Sequence, residues 1–269
     1  MDPFTERTPR VVAAVKLHRP AARRDRGEFL CEGAHAVAEA LAAGAVRELF
    51  VTDAAAAREP GLLQAAVADG VTVSPVTERA AATLSDTVTP QGLVAVCGTV
   101  DVPLADVLGA RPRLLAVPVD VGEPGNVGTI VRVADAAGAD GVVLTGESVD
   151  PHNGKAVRAS TGSLFHLPVA RHRDTAEVLA GLRGAGVTVL ATAADGEVEL
   201  WSDALDLTGP VAWLLGSEAH GLPPAVAAAA DHRVAIPVHG RAESLNLATA
   251  AALCLYAAAQ AQRRARPGG

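Results

Sequence analysis

Aromatic residues are nearly missing from this sequence: four Phe, two Trp and one Tyr make up 3% of its 269 residues. That scarcity argues against a surface built mainly of aromatic platforms for single-stranded bases. Cysteine is as thin. Cys31, Cys97 and Cys254 are odd in number, far apart and without CxxC spacing, so neither a zinc site nor a disulfide framework is supported, and no metal is expected. No apolar run reaches membrane-spanning length and no signal peptide opens the chain, which makes a soluble, cytoplasmic protein the expectation. Repeats and extended low-complexity tracts are absent. The Ala-rich runs near Ala54 and Ala227 read as helix or loop filler.

What remains is hydrophobic: 49% of the residues, enough for a substantial core in one large domain or two modest ones. The net charge of −7 argues weakly against wholesale polyanion binding, but the ends are basic. Before Gly27 stand Arg7, Arg10, Lys16, Arg19, Arg23, Arg24 and Arg26 against Asp2, Glu6 and Asp25, and Arg263, Arg264 and Arg266 close the chain. Two readings stay open here: solvated tails, or an arm that neutralises backbone phosphates. The opening Met1-Asp2-Pro3-Phe4-Thr5 is given no structural role.

Short strands alternate with short helices along the chain, the mark of an α/β architecture. The first unit reads as strands near 28–31, 49–51, 71–73 and 93–96, with helices near 34–43, 61–68 and 78–84. Gly44 is placed as a C-cap residue. The expected organisation is a basic arm over 1–26, a first domain over 27–100, a linker over 101–112 that holds Pro103, Gly109 and Pro112, and a second domain over 113–265. In the second, strands are expected at 114–120, 141–144, 187–191, 211–215 and 234–236. Helices are expected from near Asn126 to Gly138 and over 155–161, 175–183 and 244–262. Near-continuous apolar strands suggest a parallel sheet covered on both faces.

Three stretches set polar side chains and glycines where an apolar run meets a helix, the place where α/β sheets build sites. The first runs Asp120-Val121-Gly122-Glu123-Pro124-Gly125-Asn126-Val127-Gly128-Thr129-Ile130-Val131-Arg132. Asn126 stands where an N-cap belongs, and Arg132 lies six residues on, nearly two turns along the helix. Its glycines do not form GxGxxG and no P-loop occurs, which disfavours nicotinamide-dependent dehydrogenases and NTPases; the loop of common Rossmann-type methyltransferases is missing too. The second stretch is Leu215-Gly216-Ser217-Glu218-Ala219-His220-Gly221-Leu222. Gly216, without a Cβ, lets a ligand approach the backbone, and Glu218 is a candidate for a buried polar role. The third, Ile236-Pro237-Val238-His239-Gly240-Arg241-Ala242-Glu243-Ser244-Leu245-Asn246, leads into a long Ala- and Leu-rich helix. Ser244 and Asn246 sit where side chains cap that helix or address a ligand.

The order and wording of these stretches resemble the three signature motifs of the SpoU (TrmH) family of RNA ribose 2′-O-methyltransferases. The likeness runs from about Leu114 to Tyr256, and takes in Lys155-Ala156-Val157-Arg158-Ala159-Ser160-Thr161-Gly162-Ser163 and Leu167-Pro168. Glu28-Phe29-Leu30-Cys31-Glu32-Gly33 resembles the start of the family's ribosomal-protein-like RNA-binding domain. Glu123 and Val238 depart mildly from the usual Asp (or other small polar residue) and Met. The resemblance implies an α/β fold with a parallel-sheet SPOUT catalytic domain, a C-terminal trefoil knot and a smaller α/β domain in front. It implies S-adenosylmethionine as cofactor, RNA as partner and a homodimer. By motif, Gly216, Ile236 and Leu245 line the cofactor pocket with Thr192 and Val238 beside them. Asn126, Arg132, Glu218, Ser244 and Asn246 form the catalytic and RNA-positioning set.

The implied reaction moves a methyl group from sulfonium to a ribose 2′-hydroxyl, so alignment and removal of the hydroxyl proton are the main tasks. The family assigns the equivalent of Arg132 the role of general base. A guanidinium is effectively always protonated; anchoring the adjacent phosphate or stabilising a developing alkoxide also calls for an Arg. The two-domain layout favours 23S rRNA as substrate. A tRNA methyltransferase and a noncatalytic RNA-binding or assembly protein on the same fold are the alternatives. The full polar set disfavours the last, and an antibiotic-resistance role is not separable from housekeeping modification.

Overall fold

The computed structural model describes residues 2–265; Met1 and residues 266–269, Arg266 among them, lie outside the described residues. The chain forms two compact units. One takes the residues up to Val100 together with Asp150–His166, and the other takes Asp101–Val149 and the residues from Leu167 onward.

The first unit is built on four strands, β1 (Glu28–Glu32), β2 (Val46–Val51), β3 (Thr72–Pro75) and β4 (Leu93–Gly98), in the order β1-β4-β2-β3. β4 runs antiparallel to β1 and to β2, and β2 is parallel to β3. Threonine starts two of its helices: the hydroxyls of Thr52 and Thr77 accept from the Ala55 and Ala80 N–H groups. Glycine is required at Gly92, whose φ is +76° and where a Cβ would meet Thr52 Oγ1 at 2.5 Å.

The basic stretch before Gly27 is folded rather than a free arm. Pro9–Val15 and Pro20–Arg26 are helices, and Val11, Ala14 and Leu17 enter the same core as Leu30, Phe50, Val76, Leu84 and Val94. An arginine-dense segment can still carry one apolar stripe, and that stripe decides its fate. Several of its cations are committed to ion pairs, Arg10 to Glu48 at 2.8 Å and Arg26 to Glu28. Phe4 packs against this core too, its N–H donating to the Pro75 carbonyl at 2.8 Å.

The division of the chain also departs from the boundary expected near residue 113. Asp150–His166 joins the first unit, because its side chains pair there: Asp150 with Arg23, 2.8 Å apart, and Arg158 with Asp86. The helix Gly154–Ser160 packs on β1. The stretch expected as linker is structured and belongs to the second unit, as β5 (Asp101–Val102) and the helix Leu104–Gly109.

The second unit adds β6 (Leu114–Pro118), β7 (Gly141–Thr145), β8 (Val169–His172), β9 (Thr188–Thr192), β10 (Val198–Glu199), β11 (Val211–Leu215) and β12 (His232–Ala235). Its eight strands run β10-β12-β9-β11-β6-β7-β8-β5, and every neighbouring pair is parallel. All residues of β6, β7 and β11 are buried, as a parallel sheet covered on both faces demands. Val107, Val178, Leu179 and Leu182, from the helices Leu104–Gly109 and Thr175–Gly184, share a core with Leu115, Val117, Val143, Val189 and Leu214. The helices Pro124–Ala137 and Leu247–Ala265 pack on each other and against β6. Buried Gln262 fastens the second of these, its amide donating to the carbonyls of Arg113 (2.8 Å) and Gly209 (2.9 Å). No described helix is long and apolar enough to cross a membrane.

Candidate active site

The loops that follow β9, β11 and β12 leave the same edge of the second sheet, since their strands are parallel. They enclose a cavity of about 470 Å³. The first loop supplies Ala193 and Ala194 after Thr192, the second Gly216 to Glu218, and the third Ile236 to Val238 and Glu243 to Leu245. Thus Thr192, Gly216, Ile236, Val238 and Leu245, singled out by motif as cofactor-lining, all border one space. Glu218 and Ser244 border it as well.

Backbone proximity shapes the walls. The sequence suggested that Gly216 clears room for a ligand, but its missing Cβ clears room for the chain itself. A methyl group there would stand 2.3 Å from the Gly221 carbonyl carbon and the Leu222 nitrogen. The turn it permits is closed by paired backbone hydrogen bonds, Ser217 N–H to Gly221 O at 3.1 Å and Gly221 N–H to Ser217 O at 2.8 Å. Glu218 rides on that turn. Behind the cavity, Gly196 presses on β12, where a Cβ would come within 2.6 Å of the Ala235 nitrogen. Arg233 holds this contact by donating from its backbone N–H and Nε to Glu197, at 2.9 and 3.0 Å, and from Nη1 to Asp195 at 3.2 Å. The hydrogen bond from the Arg233 N–H, with the arginine charge, keeps the Glu197 carboxyl below its ordinary value.

A polar cluster joins the first motif to this cavity. Asn246 Nδ2 donates to Glu218 Oε1 at 2.6 Å and to Asn126 Oδ1 at 3.3 Å, while Asn246 Oδ1 accepts from the Ala248 and Thr249 N–H groups. The Leu247 N–H also reaches Glu218 Oε1, at 3.4 Å. Asn246, and not Ser244, therefore caps the last helix, which begins at Leu247. The asparagine amide accepts two N–H groups and donates to two partners at once, whereas a serine hydroxyl has a single donor. Asn126 is not a cap either. Glu123 takes that position through Gly125 N–H, and Asn126 lies inside the first turn, only 9% exposed, facing the Asn246 amide. Arg132 stands further along the same helix, exposed to solvent and outside the cavity lining.

Some of the site was not anticipated. Glu199 and Glu243 border the cavity, and no motif pointed to Glu199. Outside the cavity lining, Asp120 adopts a left-handed backbone, φ 53°, just past β6, and its Oδ1 accepts from Glu147 N–H at 2.8 Å. Gly146 makes room for it: a Cβ there would meet that oxygen at 2.2 Å. An aspartate ending one strand and a glycine just past the next was the available signal.

Loops that converge at the carboxyl ends of parallel strands, around a cavity with a few polar groups, define a ligand-binding α/β domain of the enzyme kind. Residues 113–256 match the SpoU rRNA Methylase family, and residues 8–95 match the MRM3-like substrate binding domain. The chain belongs to the SpoU family. It is 37% identical over 242 residues to the 23S rRNA (guanosine(2553)-2′-O)-methyltransferase RlmP of Bacillus subtilis, spanning 90% of this chain and 92% of that protein. Among solved structures it resembles the AdoMet-bound rRNA methyltransferase from Sinorhizobium meliloti, with a TM-score of 0.85, 34% identity, and 96% and 97% of the two chains covered. The SpoU methyltransferase AviRb from Streptomyces viridochromogenes, in complex with AdoMet, gives a TM-score of 0.84 at 31% identity, over 96% of this chain and 100% of that one.

Proposed function

We propose that this protein transfers the methyl group of S-adenosylmethionine to a ribose 2′-hydroxyl of 23S rRNA. The observation that carries the proposal is the single cavity formed by the second and third motifs, joined through Glu218 and Asn246 to Asn126 of the first. Family membership and the 23S rRNA methyltransferase of Bacillus subtilis, as a relative, support the same substrate class.

The cavity suits the cofactor chemically. Ile236, Leu245 and Leu247 offer apolar walls to an adenine ring, and the carboxylates of Glu199, Glu218 and Glu243 balance a cationic ligand. When bound, the cofactor supplies an activated methyl on a positively charged sulfur, which is a good leaving group without a metal. The protein's tasks are then alignment and proton handling. Asn246 fixes Glu218 from one side and Asn126 from the other, so three polar groups keep one arrangement. Ser244 addresses the same space from the third loop. Arg132 holds the phosphate next to the target ribose and stabilises negative charge on the 2′-oxygen, roles that need no deprotonated guanidinium.

Four finer readings go with this one. The second unit is the methyltransferase domain, and the first presents RNA. The chain is a trefoil knot at its C-terminal end: β11 lies between β9 and β6, yet the chain leaves it for β12 beyond β9, then returns to pack Leu247–Ala265 on β6 and β11. It acts as a homodimer through the groove lined by Trp201 and, from the last helix, Leu253 and Tyr256, of which Trp201 and Tyr256 are exposed. A location in the cytoplasm follows from the rRNA substrate.

Labelled cofactor with 23S rRNA fragments and with tRNA tests the proposal. Label should enter the rRNA and resist alkaline cleavage at the modified linkage. Label in tRNA alone would overturn the substrate, and failure to bind S-adenosylmethionine at micromolar concentration would overturn the activity. Sedimentation should give twice the monomer mass, lowered to one by Tyr256→Glu.

A further inference from the structure

The first unit holds a second, smaller cavity of about 130 Å³. Leu17, Leu30 and Leu84 form apolar walls, and its polar rim carries Glu32, Asp86 and Arg158. This rim is unusual for an RNA-presenting unit, because its carboxylates repel phosphate. They suit the opposite face of a nucleotide, the base edge with its N–H donors.

Arg158 organises the rim. Its Nη1 is paired with Asp86 and lies 3.7 Å from Glu32 Oε1. Its Nη2 and Nε have no partner among the described residues, so half of the guanidinium fork stays open. Asp86 is 42% exposed, and its accepting edge remains reachable from solvent. Gly154 keeps the space clear: a Cβ there would stand 3.0 Å from Asp86 Oδ2 and 3.4 Å from Arg158 Nη1. An ion pair that served only to fasten the fold would gain from a filled position at 154 and a closed fork.

We propose that this cavity takes one unpaired guanine of the RNA substrate, read by Asp86 and Arg158. The Watson–Crick edge of guanine carries two adjacent donors, N1–H and N2–H, next to the acceptor O6. A carboxylate beside an open guanidinium is the matching pattern: Asp86 accepts the two donors and Arg158 donates to O6. Adenine and cytosine present a donor beside an acceptor, and uracil presents one donor between two acceptors, so each loses a bond. The leucines cover the ring faces, a role the scarce aromatic residues do not fill here.

The inference rests on the RNA-modifying reading, but its test does not depend on methyl transfer. In the full chain, guanosine monophosphate should shift the methyl resonances of Leu17, Leu30 and Leu84 saturably, with affinity about tenfold above the other three mononucleotides. Asp86→Asn should abolish that preference, because an amide cannot accept both donors, while S-adenosylmethionine binding stays unchanged. Arg158→Lys, which keeps the charge and loses the fork, should weaken guanosine monophosphate as well. Equal shifts with all four mononucleotides, the same shifts with inorganic phosphate, or none at these leucines would overturn the guanine site. S-adenosylmethionine binding in the same sample shows whether the methyltransferase reading has failed instead.

Discussion

In the first unit buried charge closes the structure, whereas in the second the closing contacts are backbone against backbone. Arg23 is 3% exposed and donates from Nε to Asp150 at 2.8 Å and from Nη1 to the carbonyls of Leu17 and His18. Asp150 in turn meets His152 Nδ1 at 3.3 Å, and His152 Nε2 accepts from Val100 N–H at 3.2 Å. The pairing ties Asp150–His166 to helices that precede it by more than a hundred residues. Around the second unit's cavity the same work falls to Gly216 against Gly221–Leu222 and Gly196 against Ala235.

The contrast sharpens with perturbation. Arg132→Ala should lower the transfer rate about 1000-fold, roughly 4 kcal/mol, and leave cofactor affinity nearly unchanged. Single-turnover rates beside calorimetry check it, and equal loss of both would mean that Arg132 holds the cavity together. Arg23→Ala should destabilise the first unit by about 3 kcal/mol, since it takes the guanidinium from the part-buried Asp150 carboxylate and its two bonds to backbone carbonyls; denaturant unfolding should show this while S-adenosylmethionine still binds. Gly216→Ala reverses the pattern: cofactor affinity falls about 100-fold, with the first unit's unfolding unmoved.

Acid separates the units as well. Burial alone would raise the Asp150 carboxyl, but hydrogen bonds from His152 and Arg23, with their charges, outweigh it and hold the group well below the ordinary carboxylate range. A carboxyl depressed in the fold stabilises it above the unfolded value and loses that contribution as pH falls. The first unit should therefore weaken progressively below about pH 4. Asp150→Asn should flatten that dependence in urea midpoints measured across pH. Arg10→Ala is the smallest change. Its ion pair with Glu48 is 47% exposed on the arginine side, and the loss should stay under about 0.5 kcal/mol.

The site loops were legible because glycine, proline and small polar residues interrupt apolar runs at fixed places. β11 falls on its expected bounds, and the first motif's helix ends at Gly138 as read, in the left-handed conformation that favours glycine. The N-terminal helices were hidden by arginine density. Val11, Ala14 and Leu17 repeat at helical spacing, but the charges between them suggested an arm. β8 was missed because four residues ending in Arg171-His172 carry no strand pattern. Which unit holds Asp150–His166 depends on ion pairs between positions far apart in sequence, and no local pattern records them.

Asn246 does two things with one planar amide, and this makes the start of the last helix and the orientation of Glu218 a single variable. An aspartate would satisfy the same two backbone N–H groups and leave the helix intact, yet it would set one anion against another across 2.6 Å. A mutational scan scored by folding would pass that exchange as harmless. Scored by turnover, the same exchange should stand among the most damaging.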